Sequence, residues 1–141
     1  MSALHWVSEE CPQPSWIVKT DDDTVHDMRR LGEVVEEMEG AGEEGVVAGL
    51  AMYSDPVFRP GLNFPEKWVV TMEEFPNSTY PTFCNGAFYL MAAGVGRRLL
   101  QVPASSSSSL QAFHARGDRF FKLDDIFVTG MLAQEAGVGH K

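Results

Sequence analysis

The chain is poor in cysteine and contains no long apolar run. Its 141 residues include only Cys11 and Cys84, too few for a disulfide framework, although one bridge or two free thiols would both fit the sequence. No apolar segment approaches the roughly 20 residues that span a bilayer. The first residues also lack the basic and apolar regions of a signal peptide, so we expect no membrane segment in this chain.

Basic side chains are scarce as well. The 11 lysines and arginines face 20 acidic residues, which gives a formal net charge of −9. Nucleic-acid binding depends on a positive surface, so we expect no nucleic-acid partner. The hydrophobic fraction of 44% and the charged fraction of 22% are typical of an ordered globular domain.

Short apolar runs alternate with helical patterns along the chain. The patterns predict strands at 16–20, 45–52, 68–70 and 83–91, and helices at 25–39, 92–102 and 124–136. Such alternation indicates an α/β fold, although a complete α/β sheet would contain more strands. The serine run at 105–109 predicts a flexible insertion over residues 103–118.

Three consecutive aspartates follow the first predicted strand. Asp21, Asp22 and Asp23 repel one another unless a cation lies nearby, and Mg²⁺ and Mn²⁺ prefer carboxylate and phosphate oxygens. Strand alternation would place Asp21 and Asp23 on one side, where a metal and a nucleotide diphosphate could bind. A solvated turn that ends in a helix N-cap at Asp23 or Thr24 explains the same residues without a metal.

Four segments in order resemble the inverting β-1,3-hexosyltransferases, which comprise β-1,3-galactosyltransferases and N-acetylglucosaminyltransferases, with the Fringe enzymes as relatives. WIVKTDDDTV at 16–25 resembles the metal-binding segment of that family, and Leu4, Trp6 and Cys11 precede it in a similar order. The later segments are Arg59 with KWVV at 67–70, YPTFCNGAFYL at 80–90 and LDDIFVTG at 123–130. Together these segments cover nearly the whole chain.

The resemblance implies a GT-A fold, with a mixed sheet flanked by helices. The chain would be the C-terminal part of one catalytic domain, and the N-terminal half would be missing. The resemblance also implies Mn²⁺ as cofactor, a UDP-hexose donor, inversion at the anomeric carbon, and a glycan acceptor on a glycoprotein or glycolipid. It implies a type II membrane protein of the Golgi lumen when full length, although this sequence contains no anchor.

Residue by residue, the resemblance assigns the acidic tripeptide to the metal and the donor. Asp21 and Asp23 match the metal ligands, and Asp21 and Asp22 match residues that contact the donor. Lys19 is the one cation beside them, but we expect its side chain to point away from the metal side. His140 lies too early in the chain to match the histidine ligand of some relatives.

The other carried-over residues belong to the acceptor side and to the chemistry. Asp125 matches the catalytic base, and a helix N-terminus would favour its ionised form; capping of that helix is the alternative. Trp68, Asn85 and Gly86 match the acceptor side. Asn85 departs from the family pattern, as Ala87 does, and this puts the choice of acceptor in doubt.

Two further expectations concern modification and alternative functions. Asn77 begins an N-glycosylation acceptor pattern between prolines, which indicates a surface loop. A catalytically inactive GT-A-like binding or chaperone-like relative would keep the fold without turnover. A metal-dependent phosphohydrolase could use the same acidic clusters, but the sequence has no histidine-rich ligand set to support it.

Overall fold

The computed structural model describes residues 2–11, 13–61, 63–107, 110–111 and 121–141. Within these ranges, four strands form one mixed sheet in the order β1-β3-β2-β4: β1 Trp16–Thr20, β2 Val46–Met52, β3 Phe83–Ala92 and β4 Gly139–His140. β3 runs antiparallel to β1 and β2, whereas β4 runs parallel to β2. The predicted α/β fold with a mixed sheet is therefore confirmed.

Helices cover both faces of this sheet. They are α1 Ser2–Glu10, α2 Met28–Gly40, α3 Ala93–Leu100, a π-helical segment Ile126–Leu132, and α4 Ala133–Ala136. α2 packs on one face, where Met38 meets Ala48 and Leu90. The other helices contribute to a larger core on the opposite face. None of the described helices has the length and apolar character needed to cross a bilayer.

Alternation along β3 explains how one strand serves both cores. Tyr89 and Met91 point into the larger core and Leu90 into the smaller one, and all three are almost fully buried. Successive side chains of a strand point to opposite faces, so a strand covered on both faces reads as a continuous apolar run. β3 is thus the central strand on which the other elements are organised.

Most predicted elements occur within three residues of their expected bounds, but one does not exist. The strand predicted at 68–70 is wrong, since Glu66–Trp68 forms a 3₁₀ helix. Its neighbour Val70 donates its backbone N–H to Phe58, a residue of the same proline-rich loop. The sequence patterns also predict neither α1 nor β4, the latter only two residues long.

α2 begins at Met28, three residues later than predicted, because Asp27 caps it. The Asp27 carboxylate accepts the backbone N–H groups of Arg29 and Arg30 at 3.0 and 3.1 Å. A cap at Asp23 or Thr24 was therefore the wrong expectation. The helix ends before Gly42, whose φ of 69° suits glycine better than any other residue.

The predicted insertion at 103–118 lies largely outside the described residues, which omit 108, 109 and 112–118. Within the described part, Leu110 is buried in the larger core. Its backbone N–H donates to the Ser107 hydroxyl at 3.3 Å. The flexible insertion as a whole stays a prediction.

Both cysteines are free thiols. Cys84 lies buried on β3, where its thiol contacts the Val47 carbonyl at 3.8 Å. Burial raises the pKa of Cys84 to about 11. Cys11 is half-buried just after α1. The sequence allowed either a disulfide bridge or two free thiols, and the structure has two free thiols.

We expect replacement of Asp27 by alanine to lower the free energy of unfolding by about 1 kcal/mol, because two backbone N–H groups lose their acceptor. Urea unfolding followed by circular dichroism measures this difference. Asp27→Asn is the matched control, since asparagine caps helices about as well as aspartate. Equal losses in both variants would contradict the capping role.

We expect a maleimide reagent at neutral pH to modify Cys11 well before Cys84. Burial restricts access to Cys84, and its raised pKa leaves little reactive thiolate. Timed labelling followed by mass spectrometry of peptides measures the two rates, and unfolding in urea should abolish the difference. Equal rates in the folded protein would contradict the prediction.

Candidate active site

A cavity of about 530 Å³ lies where the end of β1 meets the middle of β3. Its walls also include the loop around the 3₁₀ helix and the residues that begin the π-helical segment. Charged residues are concentrated there, including three of the four lysines of an acidic chain. The charged residues on the walls are Asp21, Asp55, Asp124, Asp125, Lys19, Lys67 and Lys122.

Five of the residues predicted from the sequence line this cavity together: Asp21, Trp68, Asn85, Gly86 and Asp125. They come from four separate parts of the chain. Asp21, the first residue of the predicted acidic tripeptide, and the predicted base Asp125 therefore line the same cavity. Asn77 does not, because it is exposed and borders a second, 310 Å³ pocket.

Asp22 and Asp23 lie in an exposed turn beside the cavity rather than on its walls. β1 ends at Thr20, and the backbone N–H of Thr24 donates to the Asp21 carbonyl at 3.3 Å. Strand alternation therefore does not extend to Asp23, and it cannot be the reason for placing Asp21 and Asp23 on one side. All three carboxylates remain accessible from solvent.

Gly86 lies where β3 leaves regular pairing on both sides. Between Gly49 and Ala51 of β2, the paired residue on β3 changes from Tyr89 to Cys84, so several residues of β3 have no partner on β2. On the other side, β1 pairs only as far as Phe88. Such bulges are common beside active sites, because they free backbone groups for other contacts.

The freed N–H of Gly86 donates to the Asp125 carboxylate, 3.0 Å from Oδ2. The other oxygen, Oδ1, accepts the N–H of Ile126 at 2.8 Å. A Cβ atom at position 86 would lie only 3.2 Å from Oδ2. Glycine therefore suits this close approach, since a larger residue would require the carboxylate to shift. The carboxylate is held by two backbone groups from different elements.

Burial raises the pKa of Asp125, and the nearby charge of Asp124 acts in the same direction. The N–H groups of Ile126 and Gly86 act in the opposite direction, since they stabilise the carboxylate. The helix head does favour the ionised form, as expected from the sequence, but desolvation outweighs it. A raised pKa brings the carboxylate closer to the basicity that suits proton transfer near neutral pH.

The tyrosines near the cavity cannot take that role. Burial raises the pKa of Tyr80 to about 12 and also raises the pKa of Tyr89. Both therefore remain neutral at physiological pH. Tyr80 lies in the cavity wall, and its buried hydroxyl has no hydrogen-bond partner among the described residues.

The side chain of Lys19 points into the cavity, so the expectation that it points away was wrong. Its Nζ lies 2.5 Å from Asp21 Oδ1 and also donates to the Gly86 carbonyl. Lys19 and Asp21 are two residues apart and share one side of the chain. That spacing is a signal in the sequence from which the contact could have been predicted.

Aromatic rings form another wall of the cavity. Trp68 is 42% exposed, and the Lys67 ammonium lies 4.7 Å from its ring centroid. Phe58 also faces the cavity and stacks on Phe64, with centroids 3.9 Å apart. Phe83, by contrast, is almost fully buried. Trp68 and Phe58 are therefore the rings available to a ligand.

The acidic residues fit a metal ion that is shared with a ligand rather than enclosed by protein. Among the described residues, no three His, Cys, Asp or Glu side chains cluster as a metal site. Mg²⁺-like ions are commonly held by one or two carboxylates together with substrate phosphates, and the exposed Asp21–Asp23 turn suits that arrangement. His140 is engaged elsewhere, because its Nε2 lies 2.5 Å from the Thr129 carbonyl.

The chain is similar to proteins of a known glycosyltransferase family. The profile of a family described as Galactosyltransferase matches residues 1–141. Mouse beta-1,3-galactosyltransferase 5 is 28% identical over 134 residues, which is 95% of this chain and 38% of that protein. The human protein of the same name is 27% identical over 91% of this chain and 36% of its own length.

A second relative is more distant. Mouse beta-1,3-galactosyltransferase 2 is 22% identical over 95% of this chain and 28% of its own length. The chain thus spans less than two fifths of the length of these relatives. Because the family profile covers every residue and the motifs of the cavity lie within it, the chain belongs to the Galactosyltransferase family.

Proposed function

We propose that this protein transfers galactose from a UDP-sugar to a saccharide hydroxyl, with inversion at the anomeric carbon. The family membership supports the galactosyl group. One structural observation carries the proposal: the cavity brings Asp125, held by the Gly86 N–H, together with Asp21 at the end of β1. A base and a donor-binding carboxylate on one cavity are what a single displacement requires.

Asp125 acts as the general base in this proposal. Each of its oxygens accepts one N–H and keeps a further lone-pair direction, which an acceptor hydroxyl can use. As the acceptor oxygen forms a bond to the anomeric carbon, the bond from that carbon to the diphosphate breaks. The hydroxyl proton passes to Asp125, a transfer that contributes roughly 10²–10⁴-fold to the rate.

The donor lies on the β1 side of the cavity. Asp21 and Asp23 would hold Mn²⁺ through carboxylate oxygens, and a bound ion supplies Lewis-acid neutralisation of the charge on the leaving UDP. Asp21 and Asp22 would also contact the donor itself. Lys19 contacts both the Asp21 carboxylate and the Gly86 carbonyl, and so links the proposed donor side to β3.

The acceptor lies on the aromatic side. The exposed ring of Trp68 can stack on a sugar face, and Asn85 beside Gly86 offers amide donors and acceptors to sugar hydroxyls. A glycan on a glycoprotein or glycolipid is the acceptor class that we propose. The resemblance to Golgi hexosyltransferases leads us to propose the Golgi lumen as the location of the full-length protein, with Asn77 available for glycosylation.

We expect Asp125→Asn to lower galactose transfer at least about 100-fold, because asparagine cannot accept the hydroxyl proton. Binding of UDP with Mn²⁺ should persist, since Asp125 lies on the acceptor side of the cavity. Transfer from radiolabelled UDP-galactose to an oligosaccharide and calorimetric titration of UDP measure the two properties. Asp27→Asn, the same chemical change at an exposed helix cap, is the matched control.

Two results would count against this assignment. Transfer at the wild-type rate in Asp125→Asn would remove Asp125 from the mechanism. UDP binding without transfer in the wild-type protein, under conditions in which a relative is active, would favour the catalytically inactive binding relative.

We expect the unfolding free energy of Asp125→Asn, relative to that of the wild type, to increase as the pH rises from acid to neutral. The pKa of Asp125 is raised in the folded state, so its contribution to stability is present below the unfolded value of about 3.9. That contribution is lost as the pH rises through the folded pKa, because the buried group then carries a charge. Asparagine carries no charge at any pH.

Urea unfolding of both proteins at several pH values between 3.5 and 8 measures the difference, in steps of roughly half a unit. The difference in unfolding free energy should grow with pH and then level off. A difference that is constant across this range, or that falls with pH, would contradict a raised pKa.

A further inference from the structure

Thr129 lies in the middle of the π-helical segment and is completely buried among apolar residues. A buried hydroxyl destabilises a fold unless it finds hydrogen-bond partners. Thr129 has them: Oγ1 accepts the backbone N–H of Cys84 at 2.9 Å and donates to the backbone carbonyl of Asp125 at 2.6 Å. Its partners thus lie on β3 and on the residue that carries the proposed base.

The backbone N–H of Cys84 donates to the Thr129 side chain, although Cys84 lies opposite Ala51 of β2. β1 pairs with β3 only between Phe88 and Ala92, so it does not extend to Cys84. An unpaired backbone N–H in the core would be costly. Thr129 supplies an acceptor for this N–H, and this hydrogen bond links the helical segment to β3.

Hydrogen bonds at two points of β3 therefore reach the π-helical segment and its N-cap Asp125. Gly86 donates to the side chain of Asp125, and Cys84, two residues earlier, donates to the side chain of Thr129, four residues later. Contacts at two separated points restrain rotation of the segment as well as its distance from the strand. The Thr129 contact therefore adds to the restraint that the Gly86 and Ile126 N–H groups place on the carboxylate.

Close packing makes the second contact possible. A Cβ atom at Gly130 would lie 3.2 Å from both Phe83 Cβ and Pro81 Cγ, so the segment approaches the start of β3 closely. The short side chain of Thr129 can reach the backbone only at this distance. π-helical turns are rare and frequently occur at functional sites, and here the turn presents Asp125 and Thr129 to the same strand.

We propose that Thr129 is a positioning residue that orients the Asp125 carboxylate towards the acceptor hydroxyl. This inference rests on the proposed function, in which Asp125 is the base. Thr129 itself lies behind the cavity wall and contacts neither donor nor acceptor. Its loss should therefore disturb the geometry of the base and the turnover rate, while donor binding is retained.

The first test does not require activity. Because the Gly86 N–H donates to Asp125, its amide proton shift should follow the titration of that carboxyl, and Asp125→Asn identifies the signal. In Thr129→Val, we expect the Gly86 amide to exchange with solvent at least about tenfold faster, and its titration to shift. Thr129→Ser keeps the hydroxyl, so both properties should remain as in the wild type.

Thr71→Val is the matched control, because it also removes a hydroxyl that bonds a backbone N–H, that of Glu74 at 3.1 Å. It should leave the Gly86 amide unchanged. Wild-type exchange and titration of Gly86 in Thr129→Val would overturn the proposal. If Thr129→Val does not fold, Thr129→Ser decides: a packing role predicts a disturbed Gly86 amide through the lost methyl group, and a positioning role predicts none.

The second test measures transfer. We expect Thr129→Val to lower kcat by roughly 10- to 100-fold while KM for the UDP-sugar changes little, since small displacements of a catalytic group have effects of this size. Thr129→Ser should restore most of the rate. A raised KM with unchanged kcat would overturn the positioning role. Absence of transfer in the wild-type protein would contradict the proposed function alone, because the amide measurements still decide the role of Thr129.

Discussion

The hydrogen bond from the Gly86 N–H to the Asp125 carboxylate is the contact on which the cavity depends. It exists because β3 leaves β2 and β1 over the same few residues, which frees a backbone donor in the middle of a central strand. Glycine suits this position, since a Cβ atom would lie only 3.2 Å from the carboxylate. The irregular pairing of β3 therefore allows this central strand to form one wall of the cavity.

The same contact explains how the Asp125 carboxylate can be buried and still act as the proposed base. Desolvation raises the pKa of Asp125, and two backbone N–H groups limit that rise. The balance costs stability when the group is ionised, which is common where function requires a charged group in a poorly hydrated place. Lys19 also compensates the charge of Asp21, and three of the four lysines line the cavity together with four aspartates.

The sequence predicts those features of the structure that depend on neighbouring residues better than those that depend on residues far apart in the chain. β1 was predicted at its observed bounds, and β2, β3, α2 and α3 nearly so, because apolar periodicity is a local property. The strand predicted at 68–70 failed because short apolar runs do not reveal whether a pairing partner exists. The start of α2 was misplaced because four aspartates precede it, and only the backbone geometry selects Asp27 as the cap.

The sequence by itself determined the α/β class, the family resemblance, and five of the residues that line the cavity, because these depend on local patterns and on ordered motifs. Only the tertiary structure decided that Asp125 meets Gly86, 39 residues away, and that Thr129 accepts the N–H of Cys84, 45 residues away. Each of these contacts depends on where β1 stops pairing with β3. Strand register is set by the packing of the whole sheet, and no local pattern of residues specifies it.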